Sequence, residues 1–225
     1  MKLTYLGHSS FLIEEGKFKG IVDPFLSGNQ ASKTKPEDIK DLTHVFITHG
    51  HGDHIGDAVQ LAKENDALVI TNAEISDYLS SKGLRIHAMH IGGRFRFDFG
   101  TVKMTPALHG SGIKTDKGMV YGGNPGGFVI EVKGKKVYHA GDTGLTMDMK
   151  LLEAEKIDVA MLPIGGNFTM DIDDAIIATE FVKPKKIIPM HFDTFQVIKA
   201  DPGEFKEKNK TCETLILDIG ESYEF

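Results

Sequence analysis

The chain has 225 residues, of which 40 % are hydrophobic and 26 % charged, with a net charge of −6. That mix suits a globular protein able to bury a large core without covalent staples. The acidic balance argues against an extended nucleic-acid surface, which needs clustered Lys and Arg, but leaves room for a phosphate-bearing small molecule if a metal ion supplies the positive charge locally. Cys212 is the only cysteine; it excludes an intrachain disulfide and reads as a partly buried small residue.

The first quarter reads as strands: "KLTYL", "SFLIEE" and "FKGIVD" are short, carry β-branched or aromatic residues and are separated by glycine-containing turns. Gly7, His8, Ser9 and Ser10 break the N-terminal apolar run, and apolar runs are short throughout. No export signal or membrane span is expected, which makes the cytoplasm the default location. "PFLSGNQASKTKPEDIKDL" is a polar loop placed to flank a site. "HVFIT" predicts a strand and "IGDAVQLAKENDA" a helix, its apolar face formed by Ile55, Ala58, Val59 and Ala62. "ALVIT" is again a strand, and "AEISDYLSSKGL" a helix closed by Gly83. "IHAMHIG", "RFRFDFG" and "VKMTPAL" alternate like paired strands.

The second half repeats the theme. "GGFVIEV" and "KKVYHAG" predict a hairpin around Gly134, "TMDMKLLEAEKI" a helix, "DVAMLPI" a strand and "DIDDAIIATEFVK" a helix with acidic residues at its start. "KKIIPMH" is a strand, "DPGEFKEKNK" a short helix and "ETLILDIG" a last strand. No linker or low-complexity tract interrupts the chain. Two groups of strands with helices outside them predict an α/β fold, a four-layer αββα sandwich, with residues 1–225 forming one domain.

Three of the ten histidines fall within "HGHGDH", residues 49–54. In an extended segment His49 and His51 project to the same side. Asp53 and His54 follow where the chain turns into a helix, and Gly50 and Gly52 carry no Cβ to oppose a tight bend. Four nitrogen and oxygen donors aimed at one point suit a metal ion. The plain alternative is a solvated histidine-rich loop, and the glycines at both spacer positions after a strand weigh against it. Further donors stand where predicted strands run out: His109 after "MTPAL", Asp142 in "YHAGDTG" and His191 after "IIPM". Singly each is more often structural; seven donors together fit two metals sharing one carboxylate.

These residues resemble the metallo-β-lactamase superfamily, whose HxHxDH signature stands here as His49, His51, Asp53 and His54. The superfamily's later His, Asp and His match His109, Asp142 and His191 in order. "YLGHSSFLIE", "VDPFLSGN", "THGHGDHIGDA", "ALHGSG", "YHAGDTGL", "LPIGGNFTM" and "IPMHFDTF" together resemble small metal-dependent hydrolases related to the ascorbate-6-phosphate lactonases, over nearly the whole chain. The resemblance implies a dinuclear centre. One metal falls to His49, His51 and His109, the other to Asp53, His54 and His191, and Asp142 bridges. It further implies a hydroxide between metals about 3.5–4 Å apart, available at neutral pH because coordination lowers the pKa of water. Asp53, Asp142 and His8 are the residues expected to act in catalysis. The thiolate-free donor set suits zinc, manganese, nickel or iron. Zinc is the superfamily's habit, and the lactonase relatives favour manganese.

Around this centre the reading is thinner. His8 in "LGHSSF" is either a structural histidine or a further ligand or acid. Asp23 in "IVDPF" is either a turn starter or an outer acceptor for the N–H of a metal-bound histidine. Asn167 and Thr169 could face substrate, or Thr169 could cap the following helix. "YGGNPGGF", Tyr121 to Phe128, fits no phosphate-binding pattern and reads as a turn or flexible rim. The expected activity is hydrolysis of an ester-like bond in a small molecule, a lactone or phosphoester first. A nuclease conflicts with the acidic balance and the lack of an RNA-binding arm, a β-lactamase with the lack of an export signal, and a flavodiiron-type redox role with the lack of a flavin domain. A non-catalytic metal-binding or sensor protein would bind metal without turnover. No membrane partner is expected, and self-association is left open.

Overall fold

A computed structural model describes all residues, 1–225. The first half forms β1 (Lys2–Gly7), β2 (Ser10–Glu15), β3 (Phe18–Val22), β4 (His44–Phe46), the one-turn α1 (Gly52–Ile55), α2 (Ala58–Asn65), β5 (Leu68–Asn72), α3 (Ala73–Ser80) and β6 (Ile86–Met89). The second forms β7 (Arg94–Phe97), β8 (Gly100–Pro106), β9 (Gly112–Thr115), β10 (Gly118–Tyr121), β11 (Gly126–Val132), β12 (Lys135–His139), β13 (Val159–Pro163), α4 (Ile172–Val182), β14 (Lys186–Met190), α5 (Pro202–Lys208), β15 (Glu213–Thr214) and β16 (Ser222–Glu224).

Two seven-stranded sheets result, in the orders β16-β1-β2-β3-β4-β5-β6 and β15-β14-β13-β12-β11-β8-β7. They pack face to face; Phe46 of β4 and Phe128 of β11 meet across the interface with ring centroids 5.5 Å apart. Strand alternation divides the apolar residues of the first sheet between two cores. Val22, Phe46 and Ile70 join the large core between the sheets, while their neighbours Ile21, Val45 and Val69 face outward onto Leu61 and Ala62 of α2 and Ile75 and Leu79 of α3. On the second sheet every residue of β13 is buried, as a parallel strand covered on both faces requires. Ala175, Ala178 and Val182 of α4 bury into the same core. This is the α/β sandwich expected from the strand and helix pattern, with helices against both sheets.

Several elements depart from the sequence reading. The expected helix after His54 breaks into α1 and α2 at Gly56, which adopts φ +40° and packs where a Cβ would collide with the carbonyl of Pro24. The stretch Met147–Glu155 is a 3₁₀ rather than an α-helix, and its buried residues Met149, Leu152 and Glu155 recur at the three-residue spacing of that helix. Residues 112–121 form the β9–β10 hairpin, which the sequence reading left unassigned. The expected last strand pairs only at Glu213 and Thr214; after a turn in which the Glu221 N–H donates to Asp218 O, β16 crosses to the other sheet and pairs with β1. No helix is long and apolar enough to cross a membrane.

At the sheet end away from the histidine cluster, His44 lies among Phe18, Phe97 and Phe99, with centroids 5.4, 6.3 and 4.5 Å away. Burial, then the charge of Arg85, lowers its pKa to about 4. As pH falls below about 6.5 the unfolded chain takes up this proton first. Stability is therefore complete above about 6.5 and declines towards about 4. Urea unfolding should show that loss in the wild type relative to His44→Phe; a difference constant across this window removes the assignment.

Candidate metal centre

Every donor singled out in the sequence lies where a strand ends, at one edge of the two sheets. His8 follows β1, Asp23 follows β3, and His49, His51, Asp53 and His54 occupy the passage from β4 through α1. His109, Asp142 and His191 follow β8, β12 and β14 respectively. The His8 O accepts from His191 N at 2.8 Å, which ties the two sheets together at this edge. His8, Asp23 and His191 all sit at φ near +50°, a conformation costing a non-glycine residue about 1–2 kcal/mol. Strain held at three clustered positions is typical of a functional site.

Residues 49–51 bend rather than extend, so the two histidines meet by turning, not by strand alternation. The His49 Nε2 lies 3.0 Å from His51 Nδ1, and His109 Nε2 lies 3.2 Å from the same atom. Gly50 is required by space: a Cβ there would stand 2.5 Å from the Ser111 carbonyl oxygen, and its N–H donates to Ser111 Oγ at 3.0 Å. Gly52 faces open space, so sterics do not explain the second spacer.

Asp142 is buried between two groups of imidazoles. Its Oδ2 lies 2.9 Å from His191 Nε2, 3.5 Å from His109 Nε2 and 4.0 Å from His49 Nε2, and its Oδ1 lies 3.3 Å from His54 Nε2. Donor atoms of His49, His51 and His109 all fall within 4.8 Å of one another, as do those of His8, Asp53, His54 and His191. These two groups have the membership of the partition implied by the family resemblance, with His8 added to the second, while a third group, Asp23 with His49 and His54, cuts across it.

Hydrogen bonds fix which nitrogens face inward. The Thr48 hydroxyl donates to Asp23 Oδ2 at 2.6 Å and so accepts from His49 Nδ1 at 2.9 Å, leaving the His49 Nε2 lone pair directed at the cluster. Asp23 Oδ2 also accepts from His54 Nδ1 at 2.8 Å, leaving His54 Nε2 as a second inward lone pair. Asp23, fully buried, accepts from the Thr48 N–H as well, at 2.8 Å. His8 is engaged at both ring nitrogens, by Thr194 Oγ1 at 2.9 Å and Asp53 Oδ2 at 3.2 Å. The sequence reading did not reach Thr48, Thr194 or Ser111. It also assigned nothing to His139, whose Nε2 donates to Ser9 O at 2.8 Å and whose Nδ1 accepts from the Gly141 N–H at 3.1 Å. The signal was present, since Thr48 adjoins the histidine motif and His139 lies within "YHAGDTG", but only tertiary contacts give it meaning.

Of the remaining candidates, Asn167 is exposed and Thr169 hydrogen-bonds the Met170 carbonyl. Neither bonds a cluster residue, and α4 is capped by Asp171, which accepts from Asp174 N at 2.9 Å. Residues 122–123 are buried rather than a flexible rim. The Gly122 carbonyl accepts from Asn72 Nδ2 and Ser111 Oγ, both at 2.7 Å.

The donor set passes a direct test of fit to a cation. His54 Nε2 and Asp142 Oδ1 are buried 3.3 Å apart without a hydrogen-bond partner. Two lone pairs so placed repel unless a positive charge lies between them. Burial opposes charging His54, but Asp142 and Asp23 outweigh it and hold its pKa well above the ordinary value. The carboxylates that favour a proton on His54 would equally favour a cation beside its Nε2. Asp142 stays ionised because His54 and His191 more than offset its burial. Burial, reinforced by the charge of His54, keeps His49 well below the usual histidine range; burial also lowers His51 and His109. At neutral pH these three present unprotonated nitrogens.

Comparison with known proteins places the chain in a family. Residues 21–192 match the family model of a beta-lactamase superfamily domain. The chain is 61 % identical over 226 residues to a UPF0173 metal-dependent hydrolase of Alkaliphilus metalliredigens and 50 % identical over 230 residues to one of Pelotomaculum thermopropionicum, with 100 % of each chain covered in both cases. Among solved structures it superposes on Igni18, a metallo hydrolase from the hyperthermophilic archaeon Ignicoccus hospitalis, with a TM-score of 0.90 and 39 % identity, covering 100 % of this chain and 98 % of that one. The chain belongs to the beta-lactamase superfamily and, within it, to the UPF0173 metal-dependent hydrolases.

Proposed function

We propose that this protein hydrolyses an ester-like bond of a small molecule, a lactone or phosphoester, at a dinuclear metal centre. The observation that carries the reading is the position of Asp142, whose two oxygens face imidazoles of both donor groups. His49, His51 and His109 would hold one ion, Asp53, His54 and His191 the other, and Asp142 would bridge. When bound, such ions supply Lewis acidity and ionise water near pH 7. Nitrogen and carboxylate donors without thiolate accommodate zinc, manganese, iron or nickel.

The protein's own part is orientation. Asp23 and Thr48 hold His54 and His49 in the tautomers that present Nε2, the role outer partners play around metal-binding histidines. His8 holds Asp53, whose side chain is the partly exposed acid of the cluster at 27 %. The His8→Ala variant should lower kcat about 10–100-fold, the range for outer partners, while its melting temperature shifts by only a few degrees. Unchanged kinetics would return His8 to a purely structural role.

A panel of lactones, phosphodiesters, phosphomonoesters, thioesters and β-lactams, run after reconstitution with zinc, manganese or nickel, tests the function. Chelation should abolish turnover and metal should restore it. Turnover that survives complete metal removal contradicts the proposal.

A further inference from the structure

We infer that the substrate of this centre presents an uncharged aliphatic or aromatic group, not an anionic one, to the rim beside the donors, as in a neutral carboxylic ester or lactone. The inference rests on the hydrolase reading above and narrows its substrate. The side chains surrounding the donor cluster carry it.

Three loops that bear or brace the donors each expose a large apolar side chain. Leu108, 64 % exposed, precedes His109, and its backbone is tied to the Asp142 loop through Leu108 N to Thr143 Oγ1 at 2.9 Å and Gly144 N to Leu108 O at 3.0 Å. Phe168, 55 % exposed, projects from the loop after β13, which the Met170 N–H fastens to Thr143 O at 2.9 Å. Phe195, 40 % exposed, follows His191 and lies edge-on to His8 at 5.5 Å. Phe25 meets His8 from the loop after β3 at 5.6 Å and lies 6.5 Å from Phe195. Apolar groups therefore stand at both ends of the cluster, with Phe195 beside His8 and Leu108 beside His109.

No lysine or arginine reaches the donors themselves. No Lys or Arg pairs or hydrogen-bonds with any of the site histidines or aspartates, whose ionic partners are all one another. Lys199 lines a cavity of about 600 Å³ that Phe195 also lines, and there it faces the same space as the acidic Asp193. Sites that recognise phosphate supply forked or point cations to its oxygens. An anionic substituent placed against this rim would lose water without gaining a partner, whereas an alkyl or phenyl group would lose only apolar hydration. Asn167, exposed beside Phe168, offers an uncharged amide to a neutral polar group.

The reaction consumes one water. Its oxygen forms the new bond to the acyl carbon, the bond from that carbon to the leaving oxygen breaks, and one proton ends on the leaving alcohol while the other dissociates from the new acid. A lactone opens by the same exchange.

The test compares phenyl butyrate with monophenyl adipate, which share a leaving group and an acyl carbon while the second carries a carboxylate at the far end of its acyl chain, on the metal-reconstituted full chain. The neutral ester should be favoured by at least about 100-fold in kcat/KM. Phe195→Ala and, at the other end of the cluster, Leu108→Ala should each raise KM for phenyl butyrate about 10-fold at unchanged metal content, the scale on which apolar contacts discriminate. Preference for monophenyl adipate, or an unchanged KM in both variants, overturns the inference. Absence of turnover on either compound counts against the hydrolase reading instead, and titration calorimetry then decides the substrate class. Tighter binding of the neutral N-phenylbutanamide than of the adipic acid monoanilide, weakened in both variants, supports it; the monoanilide binding as tightly, or neither compound binding, overturns it.

Discussion

An Asp142→Ala protein is expected to retain about one metal ion of two and to lose at least ~1,000-fold in kcat/KM, a loss of the several kcal/mol that metal-assisted charge stabilisation supplies. The side chain is 3 % exposed and serves histidines of both donor groups at once. Alanine leaves His54 and His191 facing each other without the carboxylate that balances them. Any second cation is then held by fewer donors and a weaker local negative charge. Metal analysis of the purified variant, together with steady-state kinetics on the best substrate of the panel, checks both parts. A variant that keeps both ions and full turnover removes Asp142 from the bridging position.

Asp23→Ala should have the largest effect on stability, about 3–5 kcal/mol, the cost of stripping one partner from a buried ionic pair. Asp23 is fully buried and receives the Thr48 N–H, the Thr48 hydroxyl and the His54 Nδ1 proton. Its removal strands all three donors and frees His54 to turn its other nitrogen inward. Because unfolding of the alanine variant would preclude a metal assay, Asp23→Asn is the informative companion. It keeps the volume and one acceptor oxygen, should fold, and should bind metal about 10–100-fold more weakly. Denaturant unfolding and competition against a chelator measure the two effects. A loss below about 1 kcal/mol for the alanine variant, with undiminished metal affinity for the asparagine one, would make Asp23 the simple turn starter of its Asp-Pro pair.

Much of this site was legible in the sequence because metal ligation constrains residue type and placement together. Histidines and aspartates at the ends of six separate strands stand out against apolar strand cores, and parallel strands bring those ends to one edge. The role of Asp23 was half legible: an Asp before Pro after a strand is a common turn, and only its three bonds show what else it does. Thr48 and His139 were invisible because their partners, Asp23 and Ser9, are remote in sequence. The fold's layers followed from strand alternation, but the finer elements did not. A 3₁₀ helix and an α-helix differ by only about 0.6 residue per turn, and Met149, Leu152 and Glu155 satisfy both patterns loosely until burial distinguishes them. The β9–β10 hairpin carries a turn at Thr115–Gly118 but has only Ile113 well buried, so its strands lack the apolar alternation that marks the others. The final strand was misplaced because Leu215, Leu217 and Ile219 pack against the core without forming a ladder.

His54 Nε2 and Asp142 Oδ1, buried 3.3 Å apart, state most plainly that this interior requires positive charge between them. Elemental analysis of the protein, purified without added metal or chelator, tests that requirement most directly. The expected result is close to two transition-metal ions per chain. Protein that is folded and free of metal, and that takes up none from zinc, manganese, iron or nickel, would contradict the account at its root.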